Sequence, residues 1–252
     1  MSIRQSTVTI IKLLLYYFIY QLGFGAICSG LARYVVPMSS GTMVSLAMVA
    51  STIVMGWHLI HFGYVHLKSD KYKELSLSVL GVSTVFIFSA TYVLNLLIEQ
   101  VSIPDMMEDT FIDMSHNPFG MLSIGLLAPV LEELLFRGAI QGCLQQVGKN
   151  PWTAIIIASL IFGIVHMNPA QIPFAFLIGI MFGWLYYRTG SLLPGIIGHV
   201  LNNSVASLNM LIYGNATIEE QIENPFIMWI WAIVAIIIFI FTTLWLNRAL
   251  KK

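Results

Sequence analysis

An all-α bundle of about eight membrane-spanning helices is the fold that the sequence predicts, and three observations carry it. Of 252 residues, 58% are hydrophobic and only 10% are charged, against about 25% charged in a soluble domain. Mean hydropathy is +0.83, and apolar runs of about 20 residues, the length that crosses a bilayer, recur along the whole chain. Lysine and arginine also gather in alternate connections between those runs. Formal net charge is zero, so the overall balance points to no acidic or nucleic-acid partner, and only the placement of charge is informative.

The elements follow in order. Residues 8–29 form the first predicted span, with Arg4 ahead of it. The segment looks like a signal peptide at a glance. Lys12 interrupts its early apolar run, however, and Ile27 stands where lipoprotein processing at Cys28 would want a small residue, so a retained span is expected. Span two covers 41–63 and leads into Lys68, Lys71 and Lys73; span three covers 76–98 and leads into an acidic stretch from Glu99 to Asp113. Span four, 119–145, precedes Lys149. Spans five (152–167) and six (170–187) are short and separated only by "MNPA", which suggests a tight helical turn before Arg188. Span seven, 193–213, opens with Pro194 and Gly195, which suit a helix start. Span eight, 226–247, leads into Arg248, Lys251 and Lys252. With no internal repeat and no long linker, residues 1–252 form one transmembrane domain.

With eight spans, every basic cluster named above falls on one side, which the positive-inside rule makes cytoplasmic. The opposite connections hold Arg33 as their only base, together with Glu99, Asp105, Glu108, Asp109, Asp113, Glu219, Glu220 and Glu223. Both termini are therefore expected in the cytoplasm of an integral membrane protein.

Polar residues inside the spans are few. A charge at mid-membrane costs about 2.5–3.5 kcal/mol on insertion scales, so such groups normally face a bundle interior or a water-filled cavity. Span four carries "PVLEELLFRGA". Glu133 and Arg137 are four apart and share a helix face, where they can pair. Glu132 points about 100° away and has no local partner, which leaves it free to act on something else. Span five places Phe162 and His166 on one face, and span seven does the same for His199 and Asn203, while Asn202 and Ser204 point elsewhere. Each pair alone is equally explained as glue between helices.

A carboxylate, two imidazoles and an amide on neighbouring spans suit water-dependent acyl chemistry. Glu132 can take a proton from water, with His166 holding that water or protonating a leaving amine. His199 and Asn203 can donate to an oxygen that becomes negative in a tetrahedral intermediate. No serine or cysteine stands convincingly as a nucleophile beside a histidine. Glutamate with two histidines is also a zinc ligand set, and a metal would take Glu132, His166 and His199. The H-E-x-x-H spacing is absent, however, and asparagine is a poor zinc ligand, so no cofactor is expected.

Cys28 and Cys143 lie in apolar surroundings outside any C-x-x-C and are expected as reduced thiols packed in helices. His58, His61 and His66 approach the end of span two beside a tryptophan and a tyrosine. A spacing of five swings His66 away from His61, so an interfacial belt explains them better than a metal site. His116 lies in the acidic connection and is expected to be solvated. Gly179 and Gly183 form a G-x-x-x-G, which indicates close helix packing. With these span ends His166 falls in the outer half of the bilayer and His199 in the inner half, so tilt or shifted ends must bring them together.

At these residues the chain resembles the CAAX-protease and bacteriocin-processing (CPBP, or ABI) family of intramembrane proteases. Glu132-Glu133-x-x-x-Arg137, within "EELLFRG", looks like its E-E-x-x-F-R-G motif. Phe162-x-x-x-His166 and His199-x-x-x-Asn203 look like its second and third, in the right order within about 119–210. The resemblance implies an eight-helix fold with a conical cavity and a peptide bond hydrolysed by glutamate-activated water without obligatory metal. It further implies that Glu132 and His166 hold the water, that His199 and Asn203 form the oxyanion hole, and that Glu133 and Arg137 are an accessory pair. The expected substrate is a membrane-associated peptide or protein in a prokaryotic plasma membrane, and the family's known roles include peptide maturation and bacteriocin self-immunity. Two rivals are a non-catalytic scaffold or immunity protein of the same fold, which would bind a partner, and a transporter. The transporter would prefer paired repeats or broken helices, and neither is evident.

Overall fold

The computed structural model describes residues 1–65, 75–101, 103–148, 150–222 and 224–250. Ten helices account for its regular structure: α1 (Ile3–Tyr34), α2 (Ser40–His61), α3 (Leu77–Glu99), α4 (Glu108–Ser115), α5 (Pro118–Gln145), α6 (Pro151–Ile164), α7 (Gln171–Thr189), α8 (Leu193–Tyr213), α9 (Ile218–Gln221) and α10 (Pro225–Ala249). Each of the eight predicted spans is a helix. The two additional helices, α4 and α9, are short polar pieces in connections, too brief to leave an apolar period.

Local chemistry sets the boundaries. Three helices begin with the same pair, Asn117-Pro118, Asn150-Pro151 and Asn224-Pro225, in which the asparagine side chain accepts from a backbone N–H of the first turn and proline fixes the first helical φ. Ser2, Ser39 and Ser76 cap α1, α2 and α3 in the same way. Gly190, at φ 68, closes α7 in the left-handed conformation that glycine adopts without strain.

Among the described residues, six helices are long and apolar enough to cross a membrane: α1, α2, α3, α5, α7 and α10. The two other predicted spans fall short for different reasons. Helix α6 has only 14 residues and ends at Ile164, ahead of the expected boundary at 167. Helix α8 is long enough but carries His199, Asn202, Asn203, Ser204 and Ser207, which lower its hydropathy. Both deviations belong to helices that furnish the polar residues.

Helix α5 runs through the core, burying Leu131, Leu134, Leu135, Phe136, Ala139 and Ile140. Around it, α6 pairs with α7, α3 packs against α8 and α10, and α1 lies on α2. The outer faces of α1 and α10 leave Leu15, Ile19, Leu22, Trp231, Ile233 and Phe241 exposed, as expected where lipid replaces water. Contrary to a uniform span four, α5 is π-helical over Ser123–Leu127 and over Glu133–Gln141. Such widened turns are rare in α-helices and are frequently found at functional sites.

His66, Glu223 and the bases Lys68, Lys71, Lys73, Lys149, Lys251 and Lys252, on which part of the predicted orientation rests, lie outside the described residues. Cys28 and Cys143 are free and buried. His58 is buried rather than interfacial: its Nδ1 is 2.9 Å from the Tyr20 hydroxyl, and it packs among Tyr16, Phe62 and Tyr64. His61 is exposed and stacks on Trp57.

Candidate active site

The second π-helical segment of α5 begins at Glu133, so the two adjacent glutamates straddle its edge. The Glu133 carboxylate is 1% exposed and lies 3.2 Å from Nη1 of Arg137. The pairing expected from the spacing of four is present. Arg137 donates from Nη2 to the carbonyl of Gly179, and its guanidinium lies over the rings of Phe162 and Phe182 at 4.4 and 5.2 Å. An arginine whose charge is met by a carboxylate, a carbonyl and two π faces is a compensated buried cation.

His199 of α8 is the junction. Its Nδ1 is 3.1 Å from Glu133 Oε1, and its Nε2 is 3.5 Å from Glu132 Oε2. Glu132 was expected without a partner; within α5 that holds, but the imidazole from α8 reaches both carboxylates. The divergence of the two glutamates lets one ring sit between them. Carboxylates accept, so two contacts of this kind are satisfied only when the ring carries both N–H protons or one carboxyl carries its own. Glu132, Glu133 and His199 thus form a proton-sharing set anchored by Arg137. Glu132 is the more accessible of the two acids, at 16% against 1%.

His166 sits in the turn beyond α6, where its Nδ1 lies 2.7 Å from the Phe162 carbonyl. That contact requires Nδ1–H as donor, which leaves Nε2 as an acceptor in the neutral ring. No direct hydrogen bond joins His166 to either glutamate among the described residues. Phe162 connects the two imidazoles, with its ring centroid 4.9 Å from His166 and 6.1 Å from His199. The two imidazoles, expected at different depths, are brought to the same ring, Phe162, near the end of an α6 of only 14 residues.

Asn203 donates from Nδ2 to the Ile124 carbonyl at 3.4 Å, and Ser204 donates to the Gly125 carbonyl at 3.2 Å. Both acceptors lie in the first π-helical segment, where side chains from α8 complete the irregular backbone. Asn202 donates to Asn203 Oδ1 at 3.3 Å. The structure therefore brings Glu132, Glu133, Arg137, Phe162 and His199 into direct contact, with His166 and Asn203 on the flanks.

Sequence reasoning missed Phe182, whose ring stacks on His199 at 4.6 Å. Its position between Gly179 and Gly183 was the available signal. Those glycines do more than permit close approach. The Gly179 carbonyl accepts from Arg137 and the Gly183 carbonyl accepts from Gln141, one helical step apart on each side. Asn168, fully buried in the turn after His166, was also missed.

A helical membrane protein with buried acids, imidazoles and a compensating arginine at its centre is the class that fold and site define. A family model described as type II CAAX prenyl endopeptidase Rce1-like matches residues 114–205, the segment that holds all three motifs. YdiL of Bacillus subtilis (strain 168), named as a membrane peptidase, is 31% identical over 104 residues, which is 41% of this chain and 42% of that relative. The membrane-embedded CAAX protease MroQ of Staphylococcus aureus (strain USA300) is 28% identical over 172 residues, covering 65% of this chain and 69% of MroQ. No solved structure matches. Over the segment that carries the three motifs, the chain is therefore similar to CAAX-type membrane proteases.

Proposed function

We propose that the protein is an endopeptidase that hydrolyses a peptide bond of a membrane-associated peptide or protein, using water activated by Glu132. The family match over residues 114–205 supports membrane proteolysis, and the observation that carries the mechanism is the His199 imidazole held between Glu132 and Glu133. Glu132, the more accessible acid, accepts the proton of the attacking water, and the free Nε2 of His166 accepts a second hydrogen bond from it. As the carbonyl carbon becomes tetrahedral, its oxygen takes negative charge. His199 Nε2, only loosely engaged by Glu132 at 3.5 Å, and the Asn203 amide supply the donors it needs. The proton on Glu132 then passes to the leaving amine, which restores the starting state.

Among the described residues no group of three His, Cys, Asp or Glu side chains is placed to hold a metal ion. No step is assigned to a metal, and protein treated with a zinc chelator and checked for residual metal should keep its activity. Loss on chelation with recovery on adding zinc would move Glu132, His166 and His199 into the role of ligands. The function itself is tested by comparing membrane proteomes of cells carrying the parent chain or Glu132→Gln. An uncut membrane-associated species should accumulate with the variant, and identical proteomes would sink the proposal.

A further inference from the structure

The turn between α6 and α7 is bent at a residue whose own side chain does not explain the bend. Met167 has φ 53, and it is the positive-φ non-glycine residue among those described. Left-handed backbone disfavours a side chain of this size. The Met167 side chain is 72% exposed, so its own packing contributes little to holding the bend. The restraint comes from the residues on either side. Before it, His166 is tied by Nδ1 to the Phe162 carbonyl. After it, Asn168 is 0% exposed and fully used. Its Oδ1 accepts from the Met106 backbone N–H at 3.1 Å, its Nδ2 donates to Asp105 Oδ1 at 2.8 Å, and its own carbonyl accepts from the N–H groups of Gln171 and Ile172 at the start of α7.

We propose that Asn168 is a positioning residue for His166, acting as a latch that fastens the turn to the α3–α4 connection. The proposal rests on the role given to His166 under the proposed function. His166 is beyond the last residue of α6, so the regular helix does not fix its ring. Two covalent steps away, Asn168 is pinned to a segment that is distant in sequence. Connection 103–107 is fixed in turn through α4, where Asp113 accepts from the Gly41 N–H at 2.6 Å at the start of α2. The latch thus refers the His166 ring to α2 as well as to its own helix. Small displacements are costly here, because a 1 Å misplacement of a positioned group can lower a rate by about a hundredfold.

The latch can be exchanged as well as broken. Asn168→Asp keeps the acceptor for Met106 but sets two carboxylates against each other. Asp105→Asn in the same chain restores a donor facing an acceptor. Asn168→Asp should lower kcat by about ten- to a hundredfold with KM unchanged, and the Asn168→Asp/Asp105→Asn pair should recover most of it. A nitroxide label at Met167→Cys, in a Glu132→Gln chain whose own two cysteines are buried, reads the turn without relying on catalysis. Its spectrum should become mobile with Asn168→Asp and immobile again with the exchange pair. A label unmoved by Asn168→Asp would overturn the latch, and so would a mobile label with kcat at the parent value. Should Glu132→Gln cleave like the parent, the proposed function falls while the label comparison still decides on the latch.

Discussion

At the scale of single residues, Glu132 and Glu133 differ in what their loss removes. Glu132→Gln keeps the shape and takes away the base, so folding should survive while cleavage falls at least about a hundredfold, the usual contribution of a positioned acid–base group. Glu133→Gln weakens contacts to both Arg137 and His199. Breaking a buried pair costs about 3–5 kcal/mol, so a lowered melting temperature should accompany any lost activity. Glu133→Gln/Arg137→Met should regain stability without full activity, because His199 still lacks its carboxylate anchor. Melting and cleavage measured together in one detergent check all three, and an early-melting Glu132→Gln would reverse the roles.

At the scale of helices, glycines on α7 and α8 set the distance to α5. A Cβ on Gly195 would lie 2.8 Å from Glu133 Oε2, an oxygen belonging to a carboxylate already held by Arg137 and His199. Gly195→Ala should therefore displace that carboxylate and lower cleavage, whereas Gly23→Ala, with nothing within 4 Å, should leave both activity and melting unchanged. Equal effects of the two would mean that helix propensity rather than the Glu133 contact governs the site. The elements themselves were legible because apolar runs are local signals. The Glu133–Arg137 pair was legible because it needs only a spacing of four. The bridge from His199 to both glutamates was not, since it depends on how α8 is rotated against α5. Nor was the first π-helical segment legible, because the Ile124 and Gly125 carbonyls accept from Asn203 and Ser204 of a helix distant in sequence. Phe182 and Asn168 escaped for the same reason: a phenylalanine in an apolar span and an asparagine in a turn have ordinary local explanations.

At the scale of the molecule, contacts between chain ends agree with the predicted grouping of connections. Ser6 near the start of α1 lies 3.2 Å from the Cys143 thiol near the end of α5, and Arg188 in the last turn of α7 donates to the Asn247 and Leu250 carbonyls at the end of α10. In other connections, Glu99 accepts from the Ile218 N–H and Asp113 from the Gly41 N–H. The distribution of lysine and arginine along the sequence predicts that the face holding both termini is cytoplasmic. Reporter fusions after residues 73, 149, 188 and 252 should report cytoplasm, and fusions within 105–113 and 219–222 the opposite side. An external C-terminus would mean that the count of eight crossings is wrong.

The shortness of α6 has a consequence for the surrounding lipid. Fourteen residues rise about 21 Å, roughly 9 Å less than a hydrocarbon core of about 30 Å. Hydrolysis at the end of such a helix needs water at a depth where a full-length helix would exclude it. On the proposed mechanism hydrophobic mismatch would supply it, because a bilayer that thins toward a short helix draws headgroups and their hydration toward the His166 turn. The expected outcome is a dependence of catalysis on acyl-chain length. In proteoliposomes of increasing lipid chain length, turnover should fall as the bilayer thickens while the protein's melting temperature stays nearly constant. A rate indifferent to thickness would mean that water reaches Glu132 through the protein interior instead.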